Sequence, residues 1–207
     1  MKLVCYSDAH WHFREVKVPP GDVLVYAGDW CSGDDMMNTI HFASHLKTLP
    51  HKHKIVIAGN HDRIAESNPE LVANLFAEAG VTYLQDKELV IGGVKFYGTP
   101  WTPQFCNWAF MKEDEELVQV WKKIPSDTDV LITHGPAFGI LDCIPEVGSV
   151  GSKSLEAAIV NKKPKIHVCG HIHCGYGRQE SDDTYYYNVS VCNEEYDVVN
   201  NPTVISL

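Results

Sequence analysis

The sequence predicts an α/β fold, a four-layer αββα sandwich of two mixed β-sheets flanked by helices. Two observations predict it. Short runs rich in Val and Ile recur along the 207-residue chain, most of them continuously apolar, as in strands covered on both faces. Stretches of helical length separate them, until the alternation gives way to a hairpin and two late strands, a mixture that two sheets between helical layers accommodate.

The elements follow in order. Lys2–Tyr6 and Val23–Ala27 are strands. Asp35–Leu49 has helical length and stops before Pro50. Lys54–Ala58 is a third strand. Pro69–Ala79 is a helix entered from Asn68 and left at Gly80, with a capping residue at each end. Val81–Tyr97 holds short strands turned at Gly92-Gly93, with Val94–Tyr97 as the returning strand. Glu113–Lys123 and Lys153–Val160 are further helices. Val130–Thr133, Ile166–Cys169, Thr184–Val189 and Thr203–Leu207 are further strands.

Composition bounds the function. Apolar residues make up 44% and charged residues 21%, the balance of a globular protein, and the length suits one domain over residues 1–207. A formal net charge of −10 repels a polyanion, so an extended nucleic acid is not an expected partner. The apolar run after Met1-Lys2 is too short for a signal core or a membrane span. Seven cysteines without a CxxC pair fit reduced thiols and a cytoplasmic location.

Five strand ends carry the chemistry. They read Ser7-Asp8-Ala9-His10, Gly28-Asp29, Gly59-Asn60-His61-Asp62, Thr133-His134-Gly135 and Gly170-His171-Ile172-His173. Ligands in α/β sheets gather at the carboxyl ends of strands, so these clusters are expected to converge. In Asp8-x-His10 and His171-x-His173, residues two apart in an extended segment project to one side. Asp29 has two oxygens and can bridge two ions. Asn60 offers a carbonyl oxygen and His134 a further nitrogen. A mixed N/O set without thiolate suits Mn²⁺ first, and Fe or Zn²⁺ next. The glycines allow sharp turns and close approach.

Read in order, DxH, GD, GNHD, a lone His and GHxH resemble the signature of the calcineurin-like metallophosphoesterases. "VTYLQD" (81–86), "YGTPWTP" (97–103), "THGP" (133–136) and "GHIHCGYG" (170–177) are similar to a subgroup, the metallophosphoesterase-domain-containing proteins. Some members of that subgroup lack one histidine of the last motif; this chain keeps both. One departure is Ser32, where the family often has an acid that is not a metal ligand. The resemblance implies two divalent ions. Asp8, His10, Asp29 and His173 would hold one, and Asp29, Asn60, His134 and His171 the other. It also implies a hydroxide shared by the ions that attacks phosphorus in line, and hydrolysis of small phosphodiesters, 2′,3′- or 3′,5′-cyclic nucleotides among them.

His61 is the expected general acid, donating to the leaving group, with Asp62 orienting its imidazole. The chain has three arginines, Arg14, Arg63 and Arg178, each near a motif histidine. Arg63 and Arg178 are candidates to grip phosphate, and His12 to stand at the mouth of the site. Trp101, Phe105 and Trp108 are either a stacking wall or packing residues. His41 and His45, at i, i+4 on a helix, could pair on a metal but without a third ligand read as a solvated face; His51 and His53 read as surface residues and His167 as structural. Cys169 and Cys174 read as packing residues. The rival functions are a phosphomonoesterase, a nuclease, and a non-catalytic binding module on the same fold.

Overall fold

The computed structural model describes residues 1–31, 33 and 35–207, so the Ser32 departure lies outside the described residues. In chain order the elements are β1 (Lys2–Tyr6), β2 (Val23–Ala27), α1 (Met36–Thr48), β3 (His53–Ile57), α2 (Arg63–Ser67), α3 (Pro69–Glu78), β4 (Thr82–Tyr83), β5 (Lys87–Ile91), β6 (Val94–Thr99), β7 (Thr102–Pro103), β8 (Met111–Lys112), α4 (Asp114–Trp121), β9 (Val130–Thr133), β10 (Cys143–Ile144), β11 (Gly148–Ser149), α5 (Lys153–Lys162), β12 (Ile166–Cys169), β13 (Gly177–Ser181), β14 (Thr184–Asn188) and β15 (Thr203–Ser206).

Two mixed sheets result. The first runs β15-β1-β2-β3-β4 and the second β13-β14-β12-β9-β6-β5. Each has a parallel centre and an antiparallel strand at one or both edges. The continuous apolar runs are explained by burial of both faces. Leu3, Cys5, Val25 and Ile57 meet Phe96, Val130, Ile132 and Val168 between the sheets. Val4, Tyr6, Tyr26 and Val56 face outward onto Phe42 and Leu46 of α1 and Phe76 of α3. On the far side Tyr97, Leu131 and Tyr186 pack on Leu117 and Trp121 of α4 and Leu155 of α5. These layers make the expected αββα sandwich. Phe42 is wholly buried, so truncating it to Ala would cost about 3–5 kcal/mol.

Every element anticipated from sequence is present within two residues of its expected bounds. Asp35 caps α1, accepting from the Met37 amide at 2.8 Å. Asn68 makes no capping bond, a correction; its side chain turns to Ser67 instead. The strand β13 went unread because Gly-Arg-Gln-Glu-Ser is polar, as an edge strand can be.

The sheets meet at their carboxyl ends. The Ser7 amide donates to Val189 O, and the Val191 amide to Ser7 O, each at 3.0 Å. This seam brings the loops after β1, β2, β3, β9, β12 and β14 together.

Candidate metal centre

The loops at the seam share an unusual backbone. Asp8 (φ +53°), His10 (+45°), Asp29 (+63°) and His171 (+68°) are all left-handed, a conformation costly outside glycine. The extended geometry expected for Asp8-x-His10 and His171-x-His173 is therefore overturned. Positive φ at Asp8, His10 and His171 curls the chain back over its own strand end, and His10 opens a 3₁₀ turn. Gly28 takes φ +100°, whereas Gly59 and Gly170 act through space. A Cβ at Gly59 would strike Asp29 Oδ1 and His134, and one at Gly170 would strike Asp8 Oδ2 and Ser7.

The curled loops assemble two groups, Asp8 with His10 and His173, and Asp29 with His134 and His171, the candidate ligand atoms of each group lying within 4.8 Å of one another. Three of the histidines are oriented alike. Nδ1 of His10, His134 and His173 lies against the carbonyls of Cys31 (3.1 Å), Ala27 (2.8 Å) and Asn193 (2.7 Å). Facing an acceptor, each Nδ1 carries the proton and leaves its Nε2 lone pair free in the neutral ring, as in histidine ligands of metals. That lone pair on His134 then faces two acceptors, Asn60 Oδ1 at 2.8 Å and Asp29 Oδ2 at 3.2 Å. His10 Nε2 is buried and has no partner among the described residues. Acceptors turned on one another in a buried site call for a cation between them, so the residues fit divalent ions.

In the metal-free protein a proton takes the cation's place. Burial pushes the Asp8 and Asp29 carboxyls up, but His173 and His134 outweigh it and both are held low. Burial pushes His134 and His173 down, yet the same carboxylates raise each to about 9. His171, half-buried and beside His134, falls to about 4, desolvation being the larger cause. Asp8 is held by Ser7 Oγ (2.5 Å), Ser190 Oγ (2.7 Å) and the His171 amide (3.1 Å).

Asp62 does not orient His61, a correction to the sequence reading. Its carboxylate is buried and accepts the amides of Asp29 and Gly59 (2.8 Å each), Cys31 (2.9 Å) and Trp30 (3.1 Å). It ties the Asp29 loop to the Asn60 loop. His61 donates its own amide to Asp29 Oδ1 at 2.8 Å.

A cleft of about 770 Å³ opens over these groups, lined by Asp29, Asn60, His61, His171 and His173. Phe105, Trp108 and Tyr196 supply aromatic surface, and Glu194 and Glu195 acidic surface. Trp101 stays out, its indole N–H on Asp86 at 3.3 Å and its ring against Phe110. Cys174, expected as packing, lies on the wall. Arg178 is placed elsewhere: it lies over Tyr185 and lines a separate cavity with Lys165 and Asp183. Arg63 donates to the Asn107 carbonyl and sits over Trp108. His12 turns to Glu15 at 2.6 Å. His41 is exposed and His167 buried, as expected, but His51 is also buried, with Nε2 on Pro19 O at 3.0 Å.

Sequence reasoning missed Asn188, Ser190, Asn193, Glu194, Glu195 and Tyr196. Asn188 Nδ2 binds Ile172 O at 2.8 Å and fixes the His171 loop. The signal was present: Asn188-Val-Ser190 is a sixth polar cluster at a strand end.

A family model described as calcineurin-like phosphoesterase matches residues 1–175. Metallophosphoesterase domain-containing protein 1 of Homo sapiens is 36% identical, the alignment covering all of this chain and 71% of that protein. UPF0046 protein K07C11.7 of Caenorhabditis elegans is 34% identical over 99% of this chain and 74% of its own length. The crystal structure of TT1561 of Thermus thermophilus superposes with a TM-score of 0.62 at 11% identity, covering 90% of this chain and 88% of that one, a likeness of fold alone.

Proposed function

The chain belongs to the calcineurin-like phosphoesterase family, and from that premise we propose that it is a dinuclear metal-dependent phosphodiesterase acting on small diesters, 2′,3′- and 3′,5′-cyclic nucleotides among them. The carrying observation is the convergence of Nε2 of His10, His134 and His173 on Asp8, Asp29 and Asn60 at the floor of the cleft. Asp8, His10 and His173 would hold one ion and Asn60, His134 and His171 the other, with Asp29 shared. Bound divalent ions supply Lewis acidity and a water acidified toward neutral pH; Mn²⁺ suits the donor set.

The protein's own groups do the rest. His61 lines the cleft and is the candidate acid for the leaving alkoxide. Phe105 and Tyr196 offer aromatic surface for a flat substituent. Among the described residues lining the cleft none is Lys or Arg, while Glu194 and Glu195 are present. Beyond the reach of the ions, a dianion would meet no lysine or arginine and two repelling carboxylates, which favours a monoanionic diester. The same acidity, with a net charge of −10, speaks against a polynucleotide partner. The free cysteines fit a reducing compartment such as the cytoplasm. No helix among the described residues is long and apolar enough to cross a membrane.

A turnover screen with Mn²⁺ tests the reading, comparing 2′,3′- and 3′,5′-cyclic nucleotides, mononucleotides, and nitrophenyl mono- and diesters. Diesters should turn over and chelator should stop them. Preference for the monoesters would overturn the diester assignment.

A further inference from the structure

Among the described residues His61 has no polar anchor for its ring. The ring is half-buried, and Nδ1 is buried without a hydrogen-bond partner. The neighbouring carboxylate, Asp62, is engaged by four backbone amides, those of Asp29, Trp30 and Cys31 in the loop after β2 and of Gly59 in its own loop. A general acid must be held within about 2.6–3.2 Å of the atom it protonates, and an unanchored imidazole samples several rotamers.

What holds the ring is an aromatic face. Trp108 stacks on His61 with ring centres 4.3 Å apart and planes 30° from parallel. The edge of His61 meets His10 at 4.9 Å. Trp108 is itself fixed. Arg63 places its guanidinium carbon 5.3 Å from the centre of the Trp108 ring and donates to the carbonyl of Asn107, the preceding residue. On the other side the Ala109 amide bonds Asn60 O at 3.0 Å, and the Phe110 amide bonds Glu66 Oε1 at 2.8 Å. Ala109 and Phe110 are fully buried, so the loop is pinned immediately beyond the indole. Arg63, expected to grip phosphate, instead braces this stack.

We propose that Trp108, braced by Arg63, is the positioning residue for His61, doing by stacking what a carboxylate partner does by hydrogen bonding. The inference rests on the reading of His61 as the acid. It predicts a dependence on leaving group, because a nitrophenolate departs without a proton and an alkoxide needs one.

The test compares kcat for a cyclic nucleotide and for bis(p-nitrophenyl) phosphate, both with Mn²⁺, across His61→Ala, Trp108→Ala, Trp108→Phe and the double variant His61→Ala/Trp108→Ala. Metal content and circular dichroism confirm that each variant is folded and loaded. Trp108→Ala should lower kcat on the cyclic nucleotide by about ten- to a hundredfold and on the nitrophenyl ester by less than about threefold. Trp108→Phe, which keeps a stacking face, should recover most of the loss. In the double variant, removing Trp108 should add less than about threefold to the loss from His61→Ala on the cyclic nucleotide.

Equal losses of kcat on both substrates, a change confined to KM, or additive losses in the double variant would each overturn the proposal. If Trp108→Ala does not fold, Trp108→Phe and Trp108→Leu carry the test: Leu keeps bulk without a ring face and must show the split, and Phe must not. A leaving-group split in His61→Ala without one in Trp108→Ala rejects the positioning role alone. No split in His61→Ala rejects the acid and, with it, this inference.

Discussion

Two concave regions of the molecule invite comparison. One is the cleft of about 770 Å³ at the carboxyl ends of the strands, and the other a cavity of about 470 Å³ beside β13 and β14. The second has the residues a phosphate site is commonly credited with, Lys165 and Arg178. Yet its charges are engaged: Lys165 pairs with Asp129 at 2.9 Å and Arg178 lies on Tyr185. The cleft has no lysine or arginine among its described lining residues. Its mark is a set of imidazole nitrogens turned on carboxylates over a left-handed backbone, an arrangement that needs a cation between them. Ligand atoms gathered for a cation, not positive charge, distinguish the candidate site from the second hollow.

Substitutions in the two hollows can break that contrast. Asp29→Ala should lower kcat/KM on a diester by about a thousandfold or more, with loss of bound metal by elemental analysis, since metal stabilisation of the transition state amounts to several kcal/mol. Asp62→Ala leaves four buried amides unsatisfied and should cost about 3–5 kcal/mol in urea unfolding, against about 0.5 kcal/mol or less for Asp183→Ala in the second cavity. Removing metal from the folded protein should lower its melting temperature. At a free metal concentration about a hundred times Kd the lost stabilisation is about 2.7 kcal/mol, and Arg178→Ala should show the same shift as the parent.

The contrast extends to a buried histidine outside the cleft. His167 bonds Thr133 Oγ1 through Nε2 at 2.7 Å, and burial holds its pKa down to about 3. Below the unfolded value of about 6.5 the unfolded chain takes up a proton that the folded one refuses. Stability should therefore fall by about 1.4 kcal/mol per pH unit as pH drops from about 6.5 toward 3. In metal-free protein, urea titrations of His167→Gln should show a flatter slope there. The smallest effect belongs to Arg178→Ala, less than about twofold on kcat/KM; a larger loss would make the second cavity part of the site.

How far the sequence foretold this depends on the range over which each feature is determined. The strands were legible because Leu3 to Tyr6 or Val130 to Thr133 need only a local pattern and burial of both faces. The motif residues were legible because each sits next to a strand end. The role of Asp62 was misread because its partners lie up to 33 residues away and are amides, which carry no sequence signal. Arg63 and Arg178 look equivalent in sequence, each a few residues beyond a motif histidine. Only the fold sends one onto Trp108 and the other along an edge strand. Tyr196 and Asn188 reach the site through the seam between sheets, which no local pattern announces.

The four amides on Asp62 have a last consequence. They close the Asp29 and Asn60 loops with protein groups alone, so the socket is built before any ion arrives. Loading is then docking into a rigid seat rather than a step of chain folding. Ions held this way should exchange without dismantling the architecture, so the protein should load whichever fitting divalent ion it is offered.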